Sequence, residues 1–246
     1  MGVTRDRSGR TAVVLQPSYL PWRGYFDLVD RADVFVFYDD VQYDKHGWRN
    51  RNRVKTANGV SWLTVPVHAQ GAVEGGTPIA QIAIDHRRDW VRAHAETLRH
   101  AYRRQPFYAR YAPLVTSILE QRHERLADLT IELTVALARE LGCATEFVRS
   151  SELPLHGRKT DRLIDLLERI GATHYVSGPS ASAYIEPDRF AAAGITLEYA
   201  AYDYPAYAQP HPPFDPAVSI VDTLFALGPA TIENIRARRG AEALIA

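Results

Sequence analysis

The chain has 246 residues, and its fractions of hydrophobic (46%) and charged (24%) residues are ordinary for a globular protein. A chain of this length forms one large domain, or one domain with an insertion, and buries a full core without disulfides or metals. The formal net charge is zero because 29 Lys and Arg balance 29 Asp and Glu, which argues against a non-specific nucleic-acid binder and against DNA as a partner.

Cysteine content and hydropathy indicate the compartment. The single cysteine, Cys143, cannot form an intrachain disulfide, which favours a reducing environment. The apolar run Ala12–Leu15 is too short for a signal-peptide core, and no stretch approaches the roughly eighteen apolar residues of a membrane span. The sequence therefore predicts a cytoplasmic protein with no membrane span.

The beginning of the chain alternates between strand and helix patterns. Residues 1–10 are polar and are predicted to be a disordered tail before a single α/β domain over residues 11–246. Short apolar, β-branched runs predict strands at Ala12–Gln16 and Asp33–Tyr38, with a helix at Trp22–Arg31 between them. This order predicts a βαβ unit in a Rossmann-like, mostly parallel sheet.

The middle of the chain changes pattern. Val54–Thr56 and Ser61–Val67 predict a β-hairpin turning at Asn58-Gly59, and Ile79–Ile84 predicts a further strand. Apolar residues then recur at helical spacing over about residues 89–142, which predicts a helical insertion into the α/β core.

The α/β pattern returns after Gly142, and Pro205–Pro216 is predicted to be an ordered crossing loop. The predicted strands are Thr145–Arg149, Thr173–Ser177 and Ile195–Tyr199, and the predicted helices are Asp161–Ile170, Pro187–Ala193, Val218–Leu227 and Thr231–Leu244.

The loop after the first strand is the first candidate site. In open α/β sheets ligands bind beyond the carboxyl ends of the strands, and the helix that this loop opens suits an anion. Gly24 would let backbone or ligand approach closely. The alternative is a proline-stiffened turn with packing aromatics. The candidate residues are Gln16, Tyr19, Trp22, Gly24 and Tyr25.

The segment after the second strand is a denser candidate. Adjacent Asp39 and Asp40 cannot both be ionised in a dry site without a cation or a basic partner. In an extended segment the alternating basic residues would share one face that grips phosphate or carboxylate; the alternative is a solvated strand edge. The candidates are Asp39, Asp40, Gln42, Tyr43, Lys45, Trp48, Arg49, Asn50, Arg51 and Lys55.

Two later stretches complete the set. Ser177 and Gly178 belong to a small-residue loop that ends at Tyr184, and such loops offer N–H groups and hydroxyls to an anion. Tyr207 and Gln209 lie in an aromatic stretch that could floor a pocket for a ring. The alternative for the small-residue loop is an ordinary turn. The alternative for the aromatic stretch is that its rings cover the core. The nine histidines show no zinc spacing, so no metal site is predicted.

Several blocks of sequence carry a family resemblance, and together they span roughly Ala12–Gly228. The most specific are Gln16-Pro17-x-Tyr19-x-Pro21-Trp22-x-Gly24-Tyr25-Phe26, Asp40-Val41-Gln42-Tyr43-x-Lys45 and Trp48-x-Asn50-Arg51-Asn52. These blocks resemble the WbqC-like protein family, whose members are similar to proteins of bacterial O-antigen and other surface-polysaccharide biosynthesis. The resemblance implies a biosynthetic role, with glycine-type acyl transfer to an amino sugar as the suggested activity.

The leading hypothesis is therefore a transferase that forms an amide. An activated acyl donor would lie over the loop after the first strand, its anionic part held by Arg49, Arg51 and Lys55. Asp39 or Asp40 would orient or deprotonate the incoming amine. Hydroxyl groups of the substrate would be bound by Gln42, Tyr43, Asn50 and Tyr184. The predicted catalytic residues are Asp39, Asp40, Lys45 and Arg51.

The acyl donor and the reaction class stay open at this level. The donor could be an acyl thioester on a carrier protein, an aminoacyl-tRNA, or an intermediate made with ATP and Mg²⁺. The last case is the alternative of an ATP-dependent ligase or a nucleotidylyltransferase-like enzyme, in which Asp39 and Asp40 would bind the metal. A further alternative is a non-catalytic protein that binds a sugar or a nucleotide.

Overall fold

The computed structural model describes residues 9–183, 185–237 and the backbone of 244–245. Residues 1–8 of the predicted tail lie outside the described residues. Arg10, at the end of that predicted tail, forms an ion pair with Glu146.

A mostly parallel sheet forms the centre of the molecule. The strands of the chain are β1 (Thr11–Leu15), β2 (Val34–Phe37), β3 (Arg51–Thr56), β4 (Gly59–Thr64), β5 (Glu146–Arg149), β6 (His174–Ser177), β7 (Thr196–Tyr199) and β8 (Leu244–Ile245). The sheet order is β5-β2-β1-β6-β7-β8, with β8 antiparallel to β7 and the other neighbours parallel. β3 and β4 form a separate antiparallel hairpin. The predicted fold class is confirmed.

Helices cover both faces of the sheet. They are α1 (Arg23–Arg31), α2 (Trp90–Tyr102), α3 (Tyr108–Glu120), α4 (Leu126–Glu140), α5 (Lys159–Arg169), α6 (Pro187–Ala192), α7 (Ile220–Leu227) and α8 (Thr231–Arg236).

The central strands are apolar on both faces because each face carries its own core. Val13 and Phe35 belong to the core that includes α1, α4 and α7. Val14 and Val36 belong to the core under α5 and α6. Continuous apolar strands of this kind are typical of a parallel sheet covered by helices on both sides.

Two predicted elements are wrong. Ile79–Ile84 is not a strand: it holds a 3₁₀ turn at Ile79–Gln81, and the backbone N–H of Ala80 donates to the carbonyl of Asp39 at 2.8 Å instead of to a neighbouring strand. The last helix does not reach Leu244: α8 ends at Arg236, and Leu244 pairs with Tyr199 in the sheet. Both errors arise from partners distant in sequence.

No helix within the described ranges is long and apolar enough to cross a membrane.

Candidate functional site

A cavity of about 750 Å³ opens at the carboxyl ends of β1, β2 and β6. The chain runs from β1 to β2 on one side and crosses to β6 on the other, so the cavity lies where the strand order reverses. Ligands of open α/β sheets bind at such points. The predicted site residues that line it are Gln16, Trp22, Tyr25, Trp48, Arg49 and Gly178.

Backbone hydrogen bonds join the segments around the cavity. The N–H of Tyr19 donates to the carbonyl of Trp48 at 3.2 Å, which connects the loop after β1 to the segment before β3. The N–H of Ile220 donates to the carbonyl of Pro21 at 2.9 Å, and that of Ser219 to the carbonyl of Arg53 at 2.8 Å. The cavity wall is therefore built from chain segments that hold one another in place.

Aromatic rings form much of that wall. Trp22 meets Tyr202 edge to face, with ring centroids 5.0 Å apart. Tyr25 also lines the cavity, and its hydroxyl donates to the carbonyl of Gln16 at 3.2 Å. Gly24 is required by this packing, because a Cβ there would lie 2.3 Å from the indole of Trp22. The predicted close approach at Gly24 is thus made by a protein side chain.

Arg49 brings a positive charge to this apolar surface. Its side chain is only 13% exposed, and its buried Nε lies 3.3 Å from a carboxylate oxygen of Asp44 but has no hydrogen-bond partner among the described residues. Asp44 itself is half exposed. Burial lowers the pKa of Arg49, and the Asp44 carboxylate partly offsets that effect. A cavity-lining cation whose counter-ion is half exposed suits an anionic ligand group.

The two adjacent aspartates have separate environments. Asp39 is fully buried, and its carboxylate accepts hydrogen bonds from Arg149 Nε at 2.8 Å and from the backbone and hydroxyl of Ser151, both at 3.0 Å. Asp40 accepts from the Ser150 hydroxyl at 2.6 Å and pairs with Arg162. Asp40 keeps 18% of its side chain exposed, whereas Asp39 keeps none.

Asp40 does not itself line the cavity, but residues close to it in sequence do. Tyr38 and Val41 line the cavity on either side of it. The Arg162 guanidinium that pairs with Asp40 also lies close to the Tyr38 side chain, and burial raises the pKa of Tyr38. Asp40 is therefore the carboxylate of the pair that has solvent access and lies between two cavity-lining residues in the sequence.

The two carboxylates do not form a metal site. Each one already pairs with an arginine, so the metal-binding role predicted for the ATP- and Mg²⁺-dependent alternative does not fit them. Within the described residues, no group of three or more His, Cys, Asp or Glu side chains is arranged to hold a metal ion.

The loop after β6 closes the opposite wall. Gly178 and Ser180 line the cavity, and a Cβ on Gly178 would lie 3.2 Å from the Tyr202 hydroxyl. Ser177 is buried, and its hydroxyl accepts from Tyr175 at 3.3 Å, so it supports this loop from below. Tyr184, also predicted for this site, lies outside the described residues.

Other predicted residues hold the loops in shape. Tyr19 is fully buried, and its hydroxyl pairs with Nδ1 of His94 at 2.9 Å rather than facing the cavity. The amide of Asn50 donates to the carbonyl of Val65 at 2.9 Å. The Gln42 amide donates to the carbonyl of Val73 at 2.7 Å.

The remaining residues of that loop divide between core and surface. Tyr43 is buried in the main core, so its predicted contact with ligand hydroxyls is replaced by packing. Lys45 is exposed on the surface and does not line the cavity.

Three more predicted residues, Lys55, Tyr207 and Gln209, lie in a second polar cluster around Asp222. The buried carboxylate of Asp222 accepts from Tyr207 at 2.6 Å and from Tyr102 at 2.8 Å, and burial raises the pKa of Asp222. The Gln209 amide donates to the carbonyl of Asp215 at 2.8 Å. Lys55 is buried nearby, with its ammonium on the carbonyl of Pro213. This cluster anchors the crossing loop over residues 201–217, and none of Lys55, Tyr207 and Gln209 lines the cavity.

The basic residues predicted to share one face are consequently divided. Arg49 precedes β3 and lines the cavity, whereas Lys55 is buried against the crossing loop. Arg51 lies on the outer surface of the hairpin, 4.7 Å from the Trp62 ring centroid.

Some residues of the site were missed by sequence reasoning. Tyr38, Ser150, Arg162 and Tyr202 line the cavity or hold Asp40. Tyr38 could have been found from its place at the end of a buried strand. Ser150 and Arg162 carry no local signal, since the fold brings each to Asp40 across more than a hundred residues.

Comparison with known proteins gives a consistent assignment. The model of the WbqC-like protein family matches residues 16–234. The chain is 39% identical over 229 residues to the uncharacterized protein Rv1507c of Mycobacterium tuberculosis, an alignment that covers 92% of this chain and 98% of that protein. No solved structure matches the chain. The matched segment contains every cavity-lining residue except Val14 and Leu15, and the chain belongs to the WbqC-like protein family.

Proposed function

We propose that this protein is an enzyme that binds an anionic, activated acyl donor in the cavity and transfers the acyl group to an amine. The observation that carries the proposal is the guanidinium of Arg49, which lines an aromatic cavity at the strand-order reversal and whose counter-ion within the described residues is the half-exposed Asp44. Transfer of a glycine-type group to an amino sugar, in surface-polysaccharide or specialised-metabolite biosynthesis, is the form we favour.

The shape and charge of the cavity support an extended donor. Trp22, Tyr25 and Tyr202 offer ring faces and edges to an apolar or planar group. Arg49 would bind the anionic part of the donor and stabilise negative charge on the carbonyl oxygen as the tetrahedral intermediate forms. In a low-dielectric cavity such an interaction is stronger than it would be in water.

The chemistry requires one proton acceptor. The amine nitrogen attacks the acyl carbon, the new C–N bond forms, and the bond from that carbon to the oxygen or sulfur of the leaving group breaks. The nitrogen loses a proton, which Asp40 accepts, and the leaving group takes up a proton or departs as an anion. Asp40 suits this role because part of its carboxylate is solvent-exposed, whereas Asp39 has no exposed surface.

The test supplies the same acyl group in different activated forms. Labelled glycine is given as a pantetheine thioester, as glycyl-RNA, or free with ATP, together with a sugar nucleotide that carries a free amino group. Mass spectrometry then detects the amide. We expect product from one donor form, and a loss of kcat of about 100-fold or more in Asp40→Asn with little change in the donor KM.

Asp188→Asn is the matched control, because Asp188 is an exposed aspartate of α6. It is expected to keep the wild-type kcat. No amide from any donor, with protein shown to be folded by its thermal unfolding transition, would contradict the proposal. Full kcat in Asp40→Asn would remove Asp40 from the reaction.

A second candidate is an enzyme that activates its own acyl group with ATP. The observation that favours it is the position of the cavity between β1 and β6, where nucleotides bind in related architectures. Exchange of labelled pyrophosphate into ATP, dependent on an amino acid, would support this candidate. Amide formation from a preformed donor without such exchange would reject it.

A further inference from the structure

The outer surface of the hairpin carries a pair of stacked indoles. Trp48 and Trp62 lie with ring centroids 5.5 Å apart and planes inclined by 28°. Their exposed fractions are 43% and 47%, which is unusual for tryptophan side chains. Such exposed aromatic area is expected to serve a partner.

Two arginines accompany the stacked indoles. Arg51 lies 4.7 Å from the Trp62 ring centroid, and Arg53 lies 5.8 Å from Trp48 and 6.0 Å from Trp62. Arg51 and Arg53 are two residues apart in β3, and Arg53 lies opposite Trp62 in β4, so all three side chains share one face of the hairpin.

These arginines keep unused donor capacity. In each guanidinium Nη2 donates to a backbone carbonyl, of His46 for Arg51 and of Ala217 for Arg53, whereas Nη1 makes no hydrogen bond within the described residues. The carboxylate that pairs with one of these two arginines belongs to Asp215, whose oxygen lies 3.9 Å from Nη2 of Arg53. The surface therefore combines ring faces with positive charge, which is complementary to bases joined by phosphates.

This surface is continuous with the cavity. Trp48 stacks on Trp62 outside and also lines the cavity inside. Arg49, the next residue, lines the same cavity. A ligand that follows the chain from the stacked indoles past Trp48 would place its end beside Arg49.

We infer that the Trp48–Trp62 surface binds the single-stranded end of an RNA that delivers the acyl group into the cavity. The inference rests on the proposed acyl transfer and names its donor. Unpaired bases would stack on the indoles while Arg51 and Arg53 bind the phosphates. The acylated terminal nucleoside would enter the cavity, whose volume of about 750 Å³ is within the range of small-molecule sites.

A thioester donor on a carrier protein fits this surface less well. Its flexible arm has one phosphate and no ring that could stack on an exposed indole pair. Successive bases and phosphates, in contrast, match alternating rings and guanidinium groups. The zero net charge of the whole chain is compatible with this local site, because the site needs only the two neighbouring guanidinium groups of Arg51 and Arg53 beside the indoles.

The experiment measures binding of a 5′-fluorescein-labelled RNA hexamer that ends in CCA to the full chain by fluorescence anisotropy. Trp62→Ala is expected to weaken binding about tenfold or more, since loss of one stacked base costs that much. Trp62→Phe is expected to bind the hexamer more tightly than Trp62→Ala and more weakly than wild type, because phenylalanine keeps a smaller ring for stacking. Val60→Ala, at an exposed position on the same hairpin face, is the matched control and is expected to bind as wild type.

Salt dependence gives an independent readout. Arg51→Ala is expected to reduce the slope of log affinity against log salt by about 0.7, the value for one phosphate contact on a single strand. The hexamer annealed to its complement is expected to bind at least tenfold more weakly, because its bases are no longer free to stack.

Three results would overturn the inference: no hexamer binding by folded wild-type protein, equal binding by Trp62→Ala and Val60→Ala, or equal binding of duplex and single strand. Amide formation from a pantetheine thioester without hexamer binding would assign the surface to a carrier protein and leave the proposed function standing. Stacking-dependent hexamer binding without amide formation from any donor would support the surface and contradict the proposed function.

Discussion

Replacement of Arg49 by methionine tests whether this side chain serves a ligand or the fold. Methionine fills a similar volume without the charge. Removal of a buried donor that lacks a partner relieves a penalty of about 1–3 kcal/mol. Loss of the pair with half-exposed Asp44 costs about 0–1 kcal/mol. The variant is therefore expected to be as stable as wild type, or more stable by up to about 3 kcal/mol.

Arg31→Met is the matched comparison, because Arg31 is 14% exposed and Arg49 is 13% exposed. Arg31 pairs with Glu198, which is similarly buried and also bonds His174 at 2.9 Å. Removing one partner of a buried pair costs several kcal/mol, and we expect a loss of at least about 2 kcal/mol here because His174 remains.

Thermal unfolding distinguishes the two variants, since about 1 kcal/mol shifts the Tm by roughly 2–4 °C in a chain of this size. Activity should move in the opposite direction: loss of a charge-assisted hydrogen bond worth about 1.5–3 kcal/mol would raise the donor KM or lower kcat/KM by about 10–150-fold in Arg49→Met. A Tm as low as that of Arg31→Met would refute the assignment of Arg49 to the ligand.

Three further predictions concern stability. Tyr102→Phe should lower the free energy of unfolding in urea by about 2–4 kcal/mol, because its hydroxyl bonds both Asp222 and a buried backbone N–H; a loss below about 0.5 kcal/mol would contradict that network. Gly228→Ala should lower the free energy of unfolding by roughly 2–4 kcal/mol, since Gly228 has φ +55° and a Cβ would lie 2.4 Å from the Phe107 ring. An unchanged midpoint of urea unfolding in this variant would contradict the prediction. Burial lowers the pKa of His94 to about 4, so the unfolded chain binds more protons there and stability should fall by up to about 3 kcal/mol from pH 6.5 to 4. His94→Gln should reduce this loss of stability at low pH. If the free energy of unfolding of His94→Gln depends on pH as that of wild type does, the prediction is wrong.

The fold was largely predictable from local patterns. The runs that became β1 and β2 are short, apolar and followed by turn residues, which suits strands buried on both faces. The errors fall where a distant partner decides the conformation. Ile79–Gln81 is apolar like a strand, yet its backbone pairs with the loop after β2.

The candidate site was predictable in location more than in detail. Trp22 and Arg49 have residue types and positions that indicate a ligand site from the sequence alone. Asp39 and Asp40 are adjacent and chemically identical, so only the environment separates them. That environment comes from Ser150 and Arg162, which lie more than a hundred residues away and adjoin Asp40 only in the folded chain.

The most direct test of the central claim compares two ligands that differ by one anion. Titration calorimetry would measure binding of adenosine and of adenosine monophosphate to wild-type protein and to Arg49→Met. If Arg49 makes the cavity a site for a ring-bearing anion, the monophosphate should bind wild type at least about tenfold more tightly than adenosine, and Arg49→Met should lose that preference. Equal affinity for both ligands in wild type, or a preference that survives in Arg49→Met, would contradict the account.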